Sequence, residues 1–461
     1  MKIQIDSQIR IKDIDKITEK FIKDELEIVN PEIQKKKAMG FWTGQIPKTL
    51  KAYSKNGSDY IIPIGEINNI WKLHPIKEDY VINFGKHDKL NFPECNVKLY
   101  DYQEKAVQEM IKAKRGILSS KCGSGKSIML LEIIRRIGFK TLIVCEKKEI
   151  LKQFENYLKT NFGMNKGDYG IIAEGKVEIG EFVTIGLRQT LARIDLSQYK
   201  FEFGTIAVDE CQNVGGSVTK CTQYSKILNN LAAEYRFGVS GTAFRTDGLT
   251  RFMHSLLNTI KYDIPEEEIS DKIIKAQIKP IYTNYVIPRQ AKKVDYTLDY
   301  TKMPSVLAEN EERNQLILDL LKENKDNYNL ILSDRLEGLE ILHKMLGKGK
   351  FVNGQMTSKA AKKEREEAMQ LMRDKKEHYL FASFSLAKEG LDIKSLNRLF
   401  LIAPTKNKIV LIQSVGRIER SEEGKETPTV YDFVDINSQY YEKAWKARKT
   451  IYRKNGNKIL E

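Results

Sequence analysis

From Leu99 onward the chain repeats one pattern: a short β-branched apolar run, a glycine or polar turn, then an amphipathic helical stretch. This alternation predicts a parallel sheet with helices on both faces, because parallel strands need long crossovers and are buried on both sides. The first series places strands at residues 115–119, 141–145, 182–185, 205–208 and 235–240. A charged, proline-marked stretch from Ile264-Pro265-Glu266-Glu267-Glu268 to Lys279-Pro280 breaks the pattern. A second series follows, with strands near 329–333, 379–383, 398–402 and 429–433. Before Leu99 the texture differs. A charged helical stretch runs from Asp15 to Glu27, with apolar segments such as Tyr60-Ile61-Ile62-Pro63-Ile64-Gly65 and Tyr80-Val81-Ile82-Asn83-Phe84. The expected class is α/β, with a small separate N-terminal α+β domain (residues 1–95), a first parallel-sheet lobe (96–262), a linker (263–300) and a second parallel-sheet lobe (301–461).

Composition agrees with several cored domains: 461 residues, 41% of them hydrophobic, suit two to four units of about 150 residues each. A formal net charge of +15 favours polyanionic partners, nucleic acid first among them. The five cysteines (Cys95, Cys122, Cys145, Cys211, Cys221) are scattered and form no C-x-x-C pair, which excludes a zinc ribbon and a disulfide framework. No two histidines stand at i, i+4, so a helical His zinc site has no support. Apolar runs stay short of the roughly 18 residues needed to span a bilayer. The N-terminus, MKIQIDSQIRIKDIDK, lacks the apolar core of an export signal. A cytoplasmic, non-secreted, monomeric protein with no membrane partner is expected.

Ser120-Lys121-Cys122-Gly123-Ser124-Gly125-Lys126-Ser127 follows a predicted strand and opens a predicted helix at 128–137, the setting of a nucleotide phosphate loop. Gly123 and Gly125 let backbone N–H groups of Cys122 to Ser127 turn toward phosphates, and the helix N-terminus adds partial positive charge. Lys126 is placed to reach the β- and γ-phosphates of ATP, and Ser127 to coordinate Mg²⁺. The strict pattern begins with glycine where Ser120 stands. Thr205-Ile206-Ala207-Val208-Asp209-Glu210 then supplies an apolar strand ending in two carboxylates. Asp209 suits Mg²⁺ binding through water, and Glu210 suits orienting and deprotonating the attacking water.

With these two sites placed, the sequence from about Leu99 to Arg420 resembles superfamily 2 helicases and translocases, in look nearest to UvsW-like phage recombination helicases and XPB-like helicases. Asp209-Glu210-Cys211-Gln212 is similar to that family's DExQ/DExH motif, which implies that Gln212 links nucleotide state to the next motif. That motif is resembled by Val239-Ser240-Gly241-Thr242-Ala243-Phe244-Arg245, with Ser240 and Thr242 as coupling hydroxyls. Leu99-Tyr100-Asp101-Tyr102-Gln103 resembles the upstream element in which the glutamine, here Gln103, recognises adenine; Tyr100 replaces its usual arginine. Residues 141–153, and Val183-Thr184-Ile185 with Gln189-Thr190-Leu191, resemble the segments that touch the nucleic-acid backbone, so Thr184, Gln189 and Arg245 are candidate contacts.

The resemblance extends into the second series. Lys388-Glu389-Gly390-Leu391-Asp392-Ile393 is similar to a glycine-bearing turn near the nucleotide, which implies cofactor contact by Gly390 and Asp392. Gln413-Ser414-Val415-Gly416-Arg417-Ile418-Glu419-Arg420 is close to the motif carrying arginine fingers; Arg417 and Arg420, at i, i+3, are expected on one helix face, with Gln413 in coupling. The family implies two RecA-like lobes in tandem, ATP and Mg²⁺ as cofactors, and DNA (single-stranded, duplex or branched) as partner. Phe41 and Trp42 are candidates for an aromatic base platform, or else pack in the small domain's core. The implied activity is ATP-driven movement on DNA, in replication, recombination or repair. The alternatives are the motor of a restriction or phage-defence complex with a nuclease partner, an RNA helicase, and an inactive scaffold.

Overall fold

The structure, a computed structural model, describes every residue except 39, 41, 76–79, 122, 216–221, 246, 266, 269–272, 353–358, 389, 390, 392 and 461. It divides into two compact units, Met1–Glu268 and Ile269–Glu461.

In the first unit an eight-stranded sheet runs in the order Lys176–Val177, Tyr169–Ala173, Val183–Leu187, Thr141–Cys145, Thr205–Val208, Tyr235–Ser240, Arg115–Ser119, Ile260–Asp263. Every pairing is parallel except that of the short edge strand Lys176–Val177. Thr141–Cys145 and Thr205–Val208 are buried throughout, as central strands covered on both faces must be. Because neighbours are parallel, the carboxyl ends of Thr205–Val208, Tyr235–Ser240 and Arg115–Ser119 lie side by side on one edge of the sheet.

The N-terminal segment forms its own five-stranded sheet, in the order Ser54–Asn56, Asp59–Pro63, Gln8–Lys12, Lys2–Ile5, Tyr80–Ile82. Alternate residues of Lys2–Ile5 point inward, the two-residue period of a strand with one wet face. Asp15 caps the helix Lys16–Leu26, accepting from the Ile17 and Thr18 N–H groups at 2.8 Å. The expectation of a separate domain needs correction, because this sheet is mounted on the first lobe. Phe252, from the helix Thr250–Leu257, belongs to its apolar core. A side chain on Gly65 would stand 2.4 Å from the Ser255 carbonyl oxygen, and Arg251 grips the buried Glu66 at 2.5 and 3.0 Å. Arg251→Ala takes the cation from that buried carboxylate, which keeps its hydrogen bond from Asn69 Nδ2, and is expected to cost about 1–3 kcal/mol, read as a lower urea midpoint.

The second unit holds a seven-stranded, all-parallel sheet in the order Lys350–Val352, Tyr379–Ser383, Asn329–Ser333, Arg398–Leu401, Thr429–Asp435, Gln277–Thr283, Lys458–Ile459. Gln277–Thr283 falls inside the expected linker, so the boundary moves: the division between the units comes after Glu268. Pro280 disguised the strand, yet its place is permissive. The Gln277 N–H bonds toward Pro428, whereas the Ile278 carbonyl faces Leu460, so Pro280, two residues after Ile278, points away from Thr429–Asp435. Lys458–Ile459 pairs only with Gln277 and Ile278, leaving the side without an N–H on an open edge. Across the same sheet Arg448 forks onto buried Asp432, which also accepts from the Tyr452 hydroxyl at 2.8 Å. No helix among the described residues is long and apolar enough to cross a membrane.

Candidate nucleotide site and its hydrogen-bond relay

Three adjacent strand ends build the site. After Arg115–Ser119 the chain turns through Gly123 (φ 90°) and Gly125 (φ 81°) into the helix Lys126–Ile137. Gly125 is obligatory on two counts, since its φ is left-handed and a β-carbon there would lie 2.4 Å from Gln103 Nε2. The Lys126 ammonium donates to the Ser120 and Lys121 carbonyl oxygens at 3.1 and 3.0 Å, wrapped by its own loop. Ser127 occupies the first helical turn, and Ser124 is fully buried.

The loop is braced from Asp101–Ala113. Gln103 Nε2 and the Tyr102 hydroxyl both donate to the Ser124 carbonyl oxygen, at 2.9 and 3.1 Å, and Gln103 Oε1 accepts from the Tyr100 N–H. Gln103, expected at an adenine, is here a buried strut of the phosphate loop. Sequence reasoning missed Tyr102 altogether; its position next to Gln103 was the available signal.

Asp209 and Glu210 follow Thr205–Val208, the first buried and the second in the left-handed region (φ 48°). Burial, with the Glu210 charge beside it, pushes the Asp209 carboxyl up to about 7 against the pull of Lys126. Gln212 Nε2 donates to Glu210 Oε2, the Ser240 hydroxyl donates to Gln212 Oε1, and the Thr242 N–H donates to Ser240 Oγ at 2.9 Å. One continuous chain of hydrogen bonds thus joins the end of Thr205–Val208 to the end of Tyr235–Ser240, through the residues expected to couple. Arg245 is drawn into the same structure: it donates to the Val214 carbonyl oxygen at 2.8 Å and pairs with Asp247.

Among the expected nucleic-acid contacts, Gln189 is exposed on the short helix Arg188–Leu191. Thr184 requires correction: it is wholly buried in a central strand and its hydroxyl accepts from the Gly180 N–H at 3.1 Å, so it presents nothing at the surface. Arg245, held by Val214 and Asp247, is likewise turned inward. Trp42 is 75% exposed and does not pack in the small domain's core. Phe41, Cys122, Gly390 and Asp392 lie outside the described residues.

In the second unit Gln413 and Arg417 are buried on the helix Lys408–Ile418. Arg420 does not share that helix face as expected. The helix ends at Ile418, and Arg420 instead bridges to Ile273. The cause is Glu419, whose carbonyl oxygen accepts from the Ile274 N–H and whose carboxylate accepts from the Ala276 N–H and Asn457 Nδ2.

The donor set suits a nucleotide carrying a hard cation. Buried Asp209 and adjacent Glu210 together outweigh the one ammonium of Lys126, and the described residues contain no cluster of three or more His, Cys, Asp or Glu. Mg²⁺ is commonly held in this way, by one or two carboxylates with phosphate oxygens and water. A glycine loop at a helix N-terminus beside a buried aspartate and a partly exposed glutamate at the end of a parallel strand defines a phosphate-loop nucleoside triphosphatase. Residues 96–245 match the family model "Type III restriction enzyme, res subunit", and residues 312–422 match "Helicase conserved C-terminal domain". The chain belongs to superfamily 2 of the helicases, a class of ATP-hydrolysing enzymes.

Similar proteins carry helicase or translocase names. The candidate ATP-dependent RNA helicase L396 of Acanthamoeba polyphaga mimivirus is 28% identical over 360 residues, 76% of this chain and 66% of that protein. The DNA 3'-5' translocase XPB2 of Sulfurisphaera tokodaii is 23% identical, covering 73% of this chain and 82% of its own. The ATP-dependent DNA helicase uvsW of Enterobacteria phage T4 is 23% identical, over 72% and 68%. Among solved structures, S. cerevisiae Dbp5 bound to RNA and ADP BeF3 superposes with a TM-score of 0.55 at 13% identity, covering 79% of this chain and 90% of that one. That likeness establishes the RecA-like fold.

Proposed function

We propose that this chain is an ATP-driven DNA translocase or helicase that unwinds or branch-migrates forked and branched DNA. Lys126 holds the β- and γ-phosphates, and Glu210 orients the attacking water and takes its proton. Ser127 and Asp209 would hold Mg²⁺, which neutralises phosphate charge when bound. The observation that carries the reading is the relay Glu210–Gln212–Ser240–Thr242, because it ties the hydrolytic carboxylate to a second strand end, as a motor requires and a simple nucleotide store does not. The +15 charge and the DNA-directed names of the XPB2 and uvsW relatives favour DNA.

The test is ATP turnover with single-stranded DNA, duplex DNA, a four-way junction and RNA, with Lys126→Ala as control. Greatest stimulation by the junction is expected; stimulation by RNA alone makes it an RNA helicase, and none by any of the four removes the motor. A second reading, motor of a restriction complex, is favoured by the match at residues 96–245 and requires a nuclease that co-purifies stoichiometrically.

A pH dependence follows from Asp209. With its carboxyl raised to about 7, the folded protein holds a proton there that the unfolded chain releases near the ordinary carboxylate value, so this group's contribution to stability declines as pH rises toward 7. Cation binding must expel the same proton. Mg²⁺–nucleotide affinity is therefore expected to weaken about tenfold per pH unit below 7, and Asp209→Asn to flatten that slope in calorimetric titrations.

A further inference from the structure

In the second unit two neighbouring strands send the chain in opposite directions. Asn329–Ser333 leads through Leu336–Leu346 to Lys350–Val352 on one side, and Arg398–Leu401 through Lys408–Ile418 to Thr429–Asp435 on the other. Crevices at the carboxyl ends of such a pair are where open parallel sheets hold ligands. A cavity of about 110 Å³ opens there, its wall including Ser333, Asp334, Ile402, Arg313, Tyr300 and Tyr440.

The wall is chemically unfinished. Arg313 is 3% exposed and spends Nε on Asp435 Oδ1 at 2.9 Å, but its Nη2 meets no acceptor among the described residues. Buried polar atoms are almost always satisfied, so an exception on a residue that lines a cavity points to something else binding there. The size of the space limits the guest. An engineered 150 Å³ cavity accepts one benzene ring, so this one takes a single ring and not a fused pair. Tyr300 and Tyr440, with centroids 5.3 Å apart, give it an aromatic flank, and the Lys406 ammonium lies 3.9 Å from the Tyr440 centroid. A flat ring with both a carbonyl oxygen and an N–H edge matches an Arg313 donor and an Asp334 acceptor.

We propose that this cavity receives one unstacked pyrimidine base of the bound strand, with Arg313 donating to a ring carbonyl oxygen, Asp334 accepting from the ring edge and the tyrosines stacking. The proposal rests on the DNA reading above, and it adds a base contact to a motor otherwise expected to hold backbone only.

The test compares binding of the full chain to oligothymidine and to an abasic strand of equal length by fluorescence anisotropy. Stacking of one base predicts a preference for oligothymidine of roughly 5- to 150-fold. Ala403→Phe, which fills the cavity from its wall, and Tyr440→Ala, which removes a flank, are both expected to bring the two affinities together. Having two variants guards against one that fails to fold, which circular dichroism reports. Equal wild-type affinities for the two strands, or a preference that survives in both folded variants, overturn the proposal. Thymidine monophosphate competing as tightly as the oligonucleotide reassigns the cavity to a free nucleotide and overturns the strand contact. Failure to bind either strand overturns the DNA reading and this proposal with it.

Discussion

Glu210→Gln is expected to yield a protein that binds ATP and holds it, with turnover slowed by about 10²- to 10⁴-fold, the usual share of a positioned general base. Glutamine keeps an acceptor oxygen where Gln212 Nε2 now donates, so the link onward to Ser240 survives and only proton acceptance is lost. The left-handed backbone at Glu210 is no obstacle, because the two side chains have the same shape at the β-carbon. Single-turnover hydrolysis with parallel nucleotide-retention measurements separates the steps. Hydrolysis at the wild-type rate takes Glu210 out of the chemistry.

Lys126→Ala is expected to reduce ATP turnover by about 10²- to 10³-fold or more, since a preorganised charge facing developing phosphate charge is lost. The fold should remain. The turn is held by backbone bonds from Ile128 and Met129 to the Gly125 carbonyl oxygen, and by Tyr102 and Gln103 on Ser124. The deletion also takes a cation away from buried Asp209, so the Asp209 carboxyl should climb further. Steady-state ATPase assays and thermal unfolding check both halves. Undiminished turnover in a folded variant means the phosphate loop has been misassigned.

Period and punctuation made much of this molecule legible in its sequence. The strands Arg115–Ser119, Thr141–Cys145, Thr205–Val208 and Tyr235–Ser240 are apolar runs closed by turn residues, and they stand where that pattern puts them. So do Asn329–Ser333 and Tyr379–Ser383. Gln277–Thr283 was hidden because a proline reads as an interruption, and only the sheet's open edge, a tertiary fact, explains its tolerance. At the site, spacing singled out Lys126, Asp209 and Glu210 as candidates, but which way a side chain faces lies beyond spacing. Thr184 belongs to a motif-like segment, yet the alternation of a buried strand turns its hydroxyl onto Gly180. Arg420 looked like the helical neighbour of Arg417 until Glu419, claimed by Ile274, Ala276 and Asn457, ended the helix between them. Long-range contacts of this kind carry no local signature.

The mounting of the N-terminal sheet has a practical corollary. The Arg245 N–H bonds to Thr250 Oγ1, and the next two residues, Arg251 and Phe252, are the ones that clasp that sheet. A shortened protein beginning near Leu99 would therefore bare an oily ring and strip a guanidinium of its carboxylate, a few residues from Thr242. Trimming toward a minimal engine would roughen its own bearing, making the product sticky and slackening the stretch that follows Ser240.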